Sequence, residues 1–293
     1  MMPSHLSRRA ALKSGLAATA LASLAPLSGA ETTPAARKDR IHQSVCRWCY
    51  QEIPLDQLCA SAAQIGLKGI DLLEPAEYEV PRRYGLICTM GYAGGGTIPD
   101  ALNRPENHAA IEAGFRLNIP LAAKAGVPNV ITFSGNRRGM SDDEGARNTI
   151  AGLNRVKKIA EDSGVTICME LLNSKVNHPD YMADHTAWGV RVVEAVNSPR
   201  VKLLYDIYHM QIMEGDLIAT IGANLAPTSA WIGHFHTGGV PGRHELDDTQ
   251  EVQWDGVMRA IAGASFEGYV AHEFIPTRDP ISSLRAAVDL CDV

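Results

Sequence analysis

Val201-Lys-Leu-Leu-Tyr-Asp-Ile-Tyr-His-Met-Gln-Ile-Met-Glu-Gly-Asp-Leu217 starts as a buried strand and then breaks its own pattern. Val201, Leu203 and Leu204 suit a sheet interior, yet the run ends in Asp206, with His209 three residues on. A buried charge is costly unless it is paired or bound to a metal. The same plan, an apolar run followed by a helical pattern, recurs along the chain. Apolar runs lie at 42–49, 69–73, 85–90, 129–133, 165–172, 201–207, 231–236 and 268–274, eight in all. Between them, apolar residues spaced by three and four predict helices at 55–65, 107–125, 141–163, 184–196, 216–223, 255–262 and 282–290. Gly66, Gly126, Gly164 and Gly263 fall near the helix C-termini, where a left-handed cap is wanted. Pro120 predicts a kink or break in the second helix.

Strand–helix alternation repeated eight times predicts an α/β fold of parallel strands closed into a (β/α)8 TIM barrel. A doubly wound open sheet is the rival, and it normally carries a Gly-rich phosphate turn after an early strand. Gly94-Gly95-Gly96 follows the third run and lacks the G-x-G-x-x-G spacing, which reads as a flexible βα loop. One domain over 41–293 is expected, with no solenoid repeat.

The bulk numbers agree. With 293 residues, 45% of them hydrophobic, the chain can bury a full core. A net charge of −6, with no basic cluster beyond the first residues, argues against a nucleic-acid partner and for a small molecule. Six cysteines are scattered through apolar contexts, so buried free thiols are expected, Cys46-Arg-Trp-Cys49 included. Ser7-Arg-Arg-Ala-Ala-Leu-Lys13 resembles a twin-arginine export signal, followed by an apolar stretch at 15–27 and the small residues Ser28-Gly-Ala30. The expectation is a cleavable signal over 1–30, a polar linker over 31–40, and export to the periplasm with no stable membrane anchor. Self-association into a homo-oligomer stays open.

In a barrel of this kind chemistry gathers at the C-terminal ends of the strands. Val165-Thr-Ile-Cys-Met-Glu170 ends in a carboxylate, and Val201 leads to Asp206. Ile232-Gly-His-Phe-His236 ends in an imidazole, and Tyr269-Val-Ala-His-Glu273 in a third carboxylate. These four residues are 36, 30 and 37 positions apart, each about one βα repeat. Alone, each has an ordinary reading, as a helix cap or a satisfied core histidine. Together they predict one converging cluster, poor without a cation and good for a single divalent ion, Mg²⁺ or Mn²⁺ first, with Co²⁺ or Zn²⁺ as alternatives. His209, one turn past Asp206, and Arg243, in the loop after His236, are candidates to hold substrate. Glu74, Trp48 and Tyr50 end the first two runs and could wall the pocket. His234 shares the phase of His236 and is expected behind it as a hydrogen-bonding partner, whereas His272 reads as structural.

At these residues the chain resembles the sugar-isomerase-like TIM barrels, which include hydroxypyruvate isomerase, the ketose 3-epimerases and xylose isomerase. The resemblance covers most of 46–293. It is strongest in Met169-Glu-Leu-Leu-Asn173, Leu203-Leu-Tyr-Asp-Ile-Tyr-His-Met-Gln211, Ile232-Gly-His-Phe-His236, Pro241-Gly-Arg-His-Glu245 and Glu273-Phe-Ile-Pro276. It implies that Glu170, Asp206, His236 and Glu273 bind one metal, that Glu170 and Glu273 form the acid–base pair, and that His209 and Arg243 hold substrate oxygens. The combination is most similar to hydroxypyruvate isomerase. His236 departs from it, since those enzymes often carry Gln there and the 3-epimerases carry His. The implied activity is proton transfer through an enediolate on a small hydroxy-keto acid or ketose, hydroxypyruvate to tartronate semialdehyde first. A ketose 3-epimerase or other sugar isomerase is the alternative, and a non-catalytic exported carbohydrate-binding protein is the alternative of another class. A zinc endonuclease on the same barrel is disfavoured, because a three-metal site needs more His and Asp ligands and a basic rim.

Overall fold

A computed structural model describes residues 37–293. The signal read at 1–30 and the linker residues 31–36 lie outside the described residues. The last residues of that linker are tied to the C-terminus. Arg37 pairs with Asp289 at 2.8 Å, and the Lys38 and Asp39 amides donate to the Asp292 carboxylate.

Eight parallel strands close in sequence order into one barrel: β1 (His42–Cys46), β2 (Gly69–Leu73), β3 (Ile87–Gly91), β4 (Asn129–Thr132), β5 (Thr166–Glu170), β6 (Val201–Asp206), β7 (Ile232–Thr237) and β8 (Tyr269–His272). All eight lie where the apolar runs predict them, six of them shorter by one to three residues and β2 and β7 of the predicted length. Almost every strand residue is buried on both faces, which is why the runs read as continuous and not alternating. The helices are α1 (Leu55–Ile65), α2 (His108–Ala125), α3 (Asp142–Ser163), α4 (Thr186–Val196), α5 (Ile207–Met213), α6 (Leu217–Asn224), α7 (Trp254–Gly263) and α8 (Pro280–Leu290).

Local chemistry sets the helix ends. Ser141 caps α3 by accepting from the Glu144 amide, and Asp142, Asp143 and Glu144 complement the positive end of its dipole. Gly66, Gly126 and Gly164 adopt the left-handed conformation expected of them. Gly263 does not: it is the last residue of α7, and Ser265 takes the positive φ instead. Pro120 neither breaks nor ends α2, which continues to Ala125. The short α5 has no counterpart among the predicted helices. Among the described residues no helix is long and apolar enough to cross a membrane.

Two irregularities in the barrel aim side chains. Between β6 and β7 the register slips after Leu203↔Ile232, so that Leu204 faces His234 and Asp206 faces His236. In β2 the register shifts on both sides of Asp71, and Leu72 takes φ +60. Asp71 is left wholly inside the barrel, and the chain then turns outward.

Candidate metal centre and active site

Glu170 ends β5, Asp206 ends β6, His236 lies one residue before the end of β7, and Glu273 follows β8. Each offers one ligand atom, and these atoms all lie within 4.8 Å of one another. Asp206 and His236 are also fully buried, and Glu170 and Glu273 nearly so. The convergence predicted from the repeat spacing is present.

Asp206 has two tasks. Its Oδ1 caps α5 by accepting from the His209 amide at 3.2 Å, and its Oδ2 turns toward the centre, 2.8 Å from Arg243 Nη2. Arg243 is the counter-charge that strand-by-strand reading left out. It comes from the β7–α7 loop with φ +60, a strained conformation for a long side chain. Its guanidinium donates to the Glu273 carboxylate and, through Nε at 2.9 Å, to the Glu273 carbonyl. It lies 5.5 Å and 5.1 Å from the ring centroids of Trp48 and Tyr208. Trp48 in turn donates its indole N–H to Glu273 Oε1.

The charges are unevenly satisfied. Burial raises Glu170, aided by the charge of Glu273 and opposed by His236. Burial also lifts Asp206 to about 7 against the pull of Arg243. Burial acts on Glu273 too, but Arg243 and His236 outweigh it and hold this carboxyl down to about 2. A single guanidinium serves both Asp206 and Glu273, and Glu273 takes the larger share.

The donor set fits a hard or borderline divalent ion: three carboxylates and one imidazole at a barrel mouth. The decisive atom is His236 Nδ1. It lies buried between two carboxylates, 2.6 Å from Glu273 Oε2 and 3.3 Å from Glu170 Oε1, with poor hydrogen-bond angles to both. A ring nitrogen converging on carboxylate oxygens in this way is placed as a metal ligand would be.

A cavity of about 430 Å³ opens beside Glu170, Glu273 and Arg243. Trp48, Tyr92, Asn177 and His178 supply polar edges, and Leu72, Ile98, Ile131, Phe133, Leu172 and Ile275 form an apolar outer wall. His209 lies beneath, fully buried, with Nδ1 accepting from the Asn173 amide at 3.1 Å and Nε2 2.8 Å from Arg243 Nη1. Burial and Arg243 hold its pKa well below the usual imidazole range.

Glu74 stands apart. It is exposed on a shallow neighbouring depression with Arg47, Trp48 and Glu77, because the bulge at Leu72 turns the chain out of the barrel. Tyr50 is buried against Phe274 and does not line the cavity. His272 is structural, between Gln43 and Thr237. All six cysteines are free thiols. Sequence reasoning missed Asp71, Tyr92, Asn173 and His178, none of which ends a predicted strand in phase with the cluster.

Residues 60–291 match the family of xylose isomerase-like TIM barrels. A protein of Mus musculus named for hydroxypyruvate isomerase is 25% identical over 244 residues, covering 81% of this chain and 80% of its own. A D-psicose 3-epimerase of Agrobacterium fabrum is 33% identical over 142 residues, 46% of this chain and 44% of its own. Among solved structures, an AP endonuclease of family 2 from Brucella melitensis superposes with a TM-score of 0.72 at 21% identity, covering 83% of this chain and 97% of its own. The IOLI protein, whose structure holds a zinc atom, superposes at 0.65 with 16% identity, covering 86% and 95%.

Proposed function

This chain belongs to the xylose isomerase-like TIM barrel family, and from that premise we propose a divalent-metal-dependent isomerase acting on a small hydroxy-keto acid or ketose. Relatives named as isomerases and epimerases support the class. The finer reading is proton transfer through an enediolate, with hydroxypyruvate to tartronate semialdehyde as the first substrate. One observation carries it: four ligand atoms from neighbouring strands within 4.8 Å, with His236 Nδ1 buried between the carboxylates of Glu170 and Glu273.

Glu170, Asp206, His236 and Glu273 would hold the ion, which supplies the positive charge that makes a C–H beside a carbonyl acidic enough to ionise. The protein's own groups then divide the work. Glu273 is kept ionised by Arg243, His236 and the Trp48 indole, ready to accept a proton. Burial raises Glu170, the carboxyl proposed to return the proton. Two carboxyls whose environments push their pKa values apart are the signature of an acid–base pair. For hydroxypyruvate, the proton leaves C3 and returns to C2. Arg243 and neutral His209 hold substrate oxygens: His209 faces the Asn173 amide through Nδ1, and its Nε2 stands 2.8 Å from Arg243 Nη1. The N-terminal 30 residues are proposed as the export signal.

The test is deuterium incorporation from D₂O into hydroxypyruvate and a set of ketoses with Mn²⁺ or Mg²⁺ present. Exchange with hydroxypyruvate is expected, and Glu170→Gln should lower turnover by about 10²–10⁴-fold, the usual contribution of a positioned acid or base. No exchange with any substrate, or an E170Q variant as fast as the parent, removes the mechanism. A ketose 3-epimerase is the second reading, favoured by His at 236 and by a 430 Å³ cavity with an apolar outer wall, roomy for a three-carbon acid. Exchange confined to the longer ketoses selects it.

A further inference from the structure

Behind His236 lies a closed set of hydrogen bonds that the proposed chemistry leaves unused. Its centre is Asp71 on β2, wholly buried and paired with histidines, with no Lys or Arg ion pair among the described residues. One oxygen, Oδ1, accepts from the Ser44 hydroxyl at 2.9 Å and from the Thr89 hydroxyl. The other, Oδ2, lies 2.6 Å from His234 Nε2 and 3.2 Å from His236 Nε2.

The protons in this set can be counted. Asn129 donates its amide N–H to the Thr89 carbonyl at 3.0 Å, and the same nitrogen faces His234 Nδ1 at 3.4 Å. His234 Nδ1 is therefore an acceptor, and the ring hydrogen sits on Nε2, pointing at Asp71. A carboxylate has about four acceptor positions, and three are filled by Ser44, Thr89 and His234. The fourth faces His236 Nε2. The Cys46 thiol, 3.7 Å from the same nitrogen, could donate to it only if Nε2 carried no hydrogen. That arrangement would set a bare ring nitrogen against a carboxylate oxygen at 3.2 Å, a repulsion with nothing to relieve it. Nε2 of His236 therefore keeps its hydrogen.

We infer that Asp71 is a positioning residue for the metal centre: through His236 Nε2–H it fixes the ring so that the Nδ1 lone pair is presented to a divalent cation among Glu170, Asp206 and Glu273. A cation arriving there displaces any proton on Nδ1 and leaves the one on Nε2, because Asp71 holds it. Ser44 and Thr89 anchor Asp71, and His234 occupies the position beside His236 on the same oxygen. Groups that orient a ligand from behind commonly change metal affinity by about 10–100-fold when removed.

The assignment rests on the metal reading above, and its test separates the two. Mn²⁺ affinity is measured by titration for the parent, Asp71→Asn and Ser44→Ala, and the His236 Nε2–H resonance is followed in ¹⁵N-labelled, Zn²⁺-loaded protein. Expected are a protected Nε2–H signal in the parent, its loss or shift in D71N, a 10–100-fold weaker Mn²⁺ affinity in D71N, and a weakening of a few fold in S44A. Should D71N not fold, S44A together with the parent resonance carries the test. A parent that binds Mn²⁺ but whose Zn²⁺-loaded His236 lacks an Nε2 hydrogen overturns the assignment alone, as does a folded D71N that binds Mn²⁺ within twofold of the parent. A parent that binds no divalent ion overturns the proposed function and this assignment with it.

Discussion

Arg243 is the residue on which the charge balance of the centre turns. It donates to Asp206 and Glu273, both buried, and is itself only 9% exposed. Removing one member of such a group leaves uncompensated charge and costs about 3–5 kcal/mol. Arg243→Gln should therefore lower the stability of the metal-free protein by that order, and Mn²⁺ should restore more stability to the variant than to the parent. Thermal melts with and without Mn²⁺ check this; an equal gain in both proteins would mean the ion and the guanidinium do not act on the same carboxylates. Arg243→Lys is not a repair, since an ammonium cannot reach both carboxylates and His209 with one planar fork. The four cluster residues were legible because each closes an apolar run at one repeat length. Arg243 was legible as a candidate for the pocket, but not as the partner of Asp206, because its loop returns over the barrel mouth in three dimensions only. Asp71 was hidden by its position inside a strand, among apolar neighbours that look like any core run.

Single elements explain the next layer. Asp206 ends β6 and caps α5, so the step from strand to helix and the position of a cluster carboxylate are one event. The two tasks can be separated by substitution. Asn caps a helix about as well as Asp, whereas Ala loses about 1 kcal/mol. Asp206→Asn and Asp206→Ala both lose the charge that faces Arg243, but the Asn variant should stay about 1 kcal/mol more stable than the Ala variant through its cap, while Mn²⁺ affinity falls by more than the roughly 10–100-fold seen for groups behind the ligands. If D206N were as destabilised as D206A, the cap would not be the structural task of this side chain. Elements were also where sequence pattern served best. All eight strands and seven of the eight helices lay where apolar spacing put them, because each buries a face or a whole run. The exception, α5, is seven residues long and buried throughout its first four residues, so no period distinguishes it from the end of β6. Pro120 misled for a related reason: the packing of Phe115, Ile119 and Ala122 against the barrel outweighs one missing hydrogen bond.

The whole barrel depends on closure between its last and first strands, and a histidine sits on that seam. His272 of β8 lies with Nε2 2.9 Å from Gln43 Oε1 of β1 and Nδ1 3.1 Å from the Thr237 hydroxyl of β7. Gln43 donates its own N–H to the Val288 carbonyl, so its oxygen faces the ring and the Nε2 hydrogen is donated to it. Thr237 then donates to Nδ1, the ring is neutral, and no acceptor awaits a second proton. Burial accordingly lowers the pKa of His272 from 6.5 to about 3. Between these values the unfolded chain binds the proton and the folded one does not, so stability rises with pH. The contribution is complete above 6.5 and is lost as pH falls toward 3, at about 1.4 kcal/mol per unit. Asp206, lifted to about 7, acts in the opposite sense over an overlapping range, because there the folded state binds the extra proton. The parent's own pH profile therefore mixes two opposed slopes. Comparison with His272→Gln isolates the seam, since the Asp206 contribution is common to both proteins and cancels. In urea denaturation of the metal-free proteins, the advantage of the parent over H272Q should shrink by about 2 kcal/mol between pH 7.5 and pH 5.0. A difference that stays constant over that interval would mean the imidazole takes up its proton inside the folded barrel, and that the seam tolerates a charge.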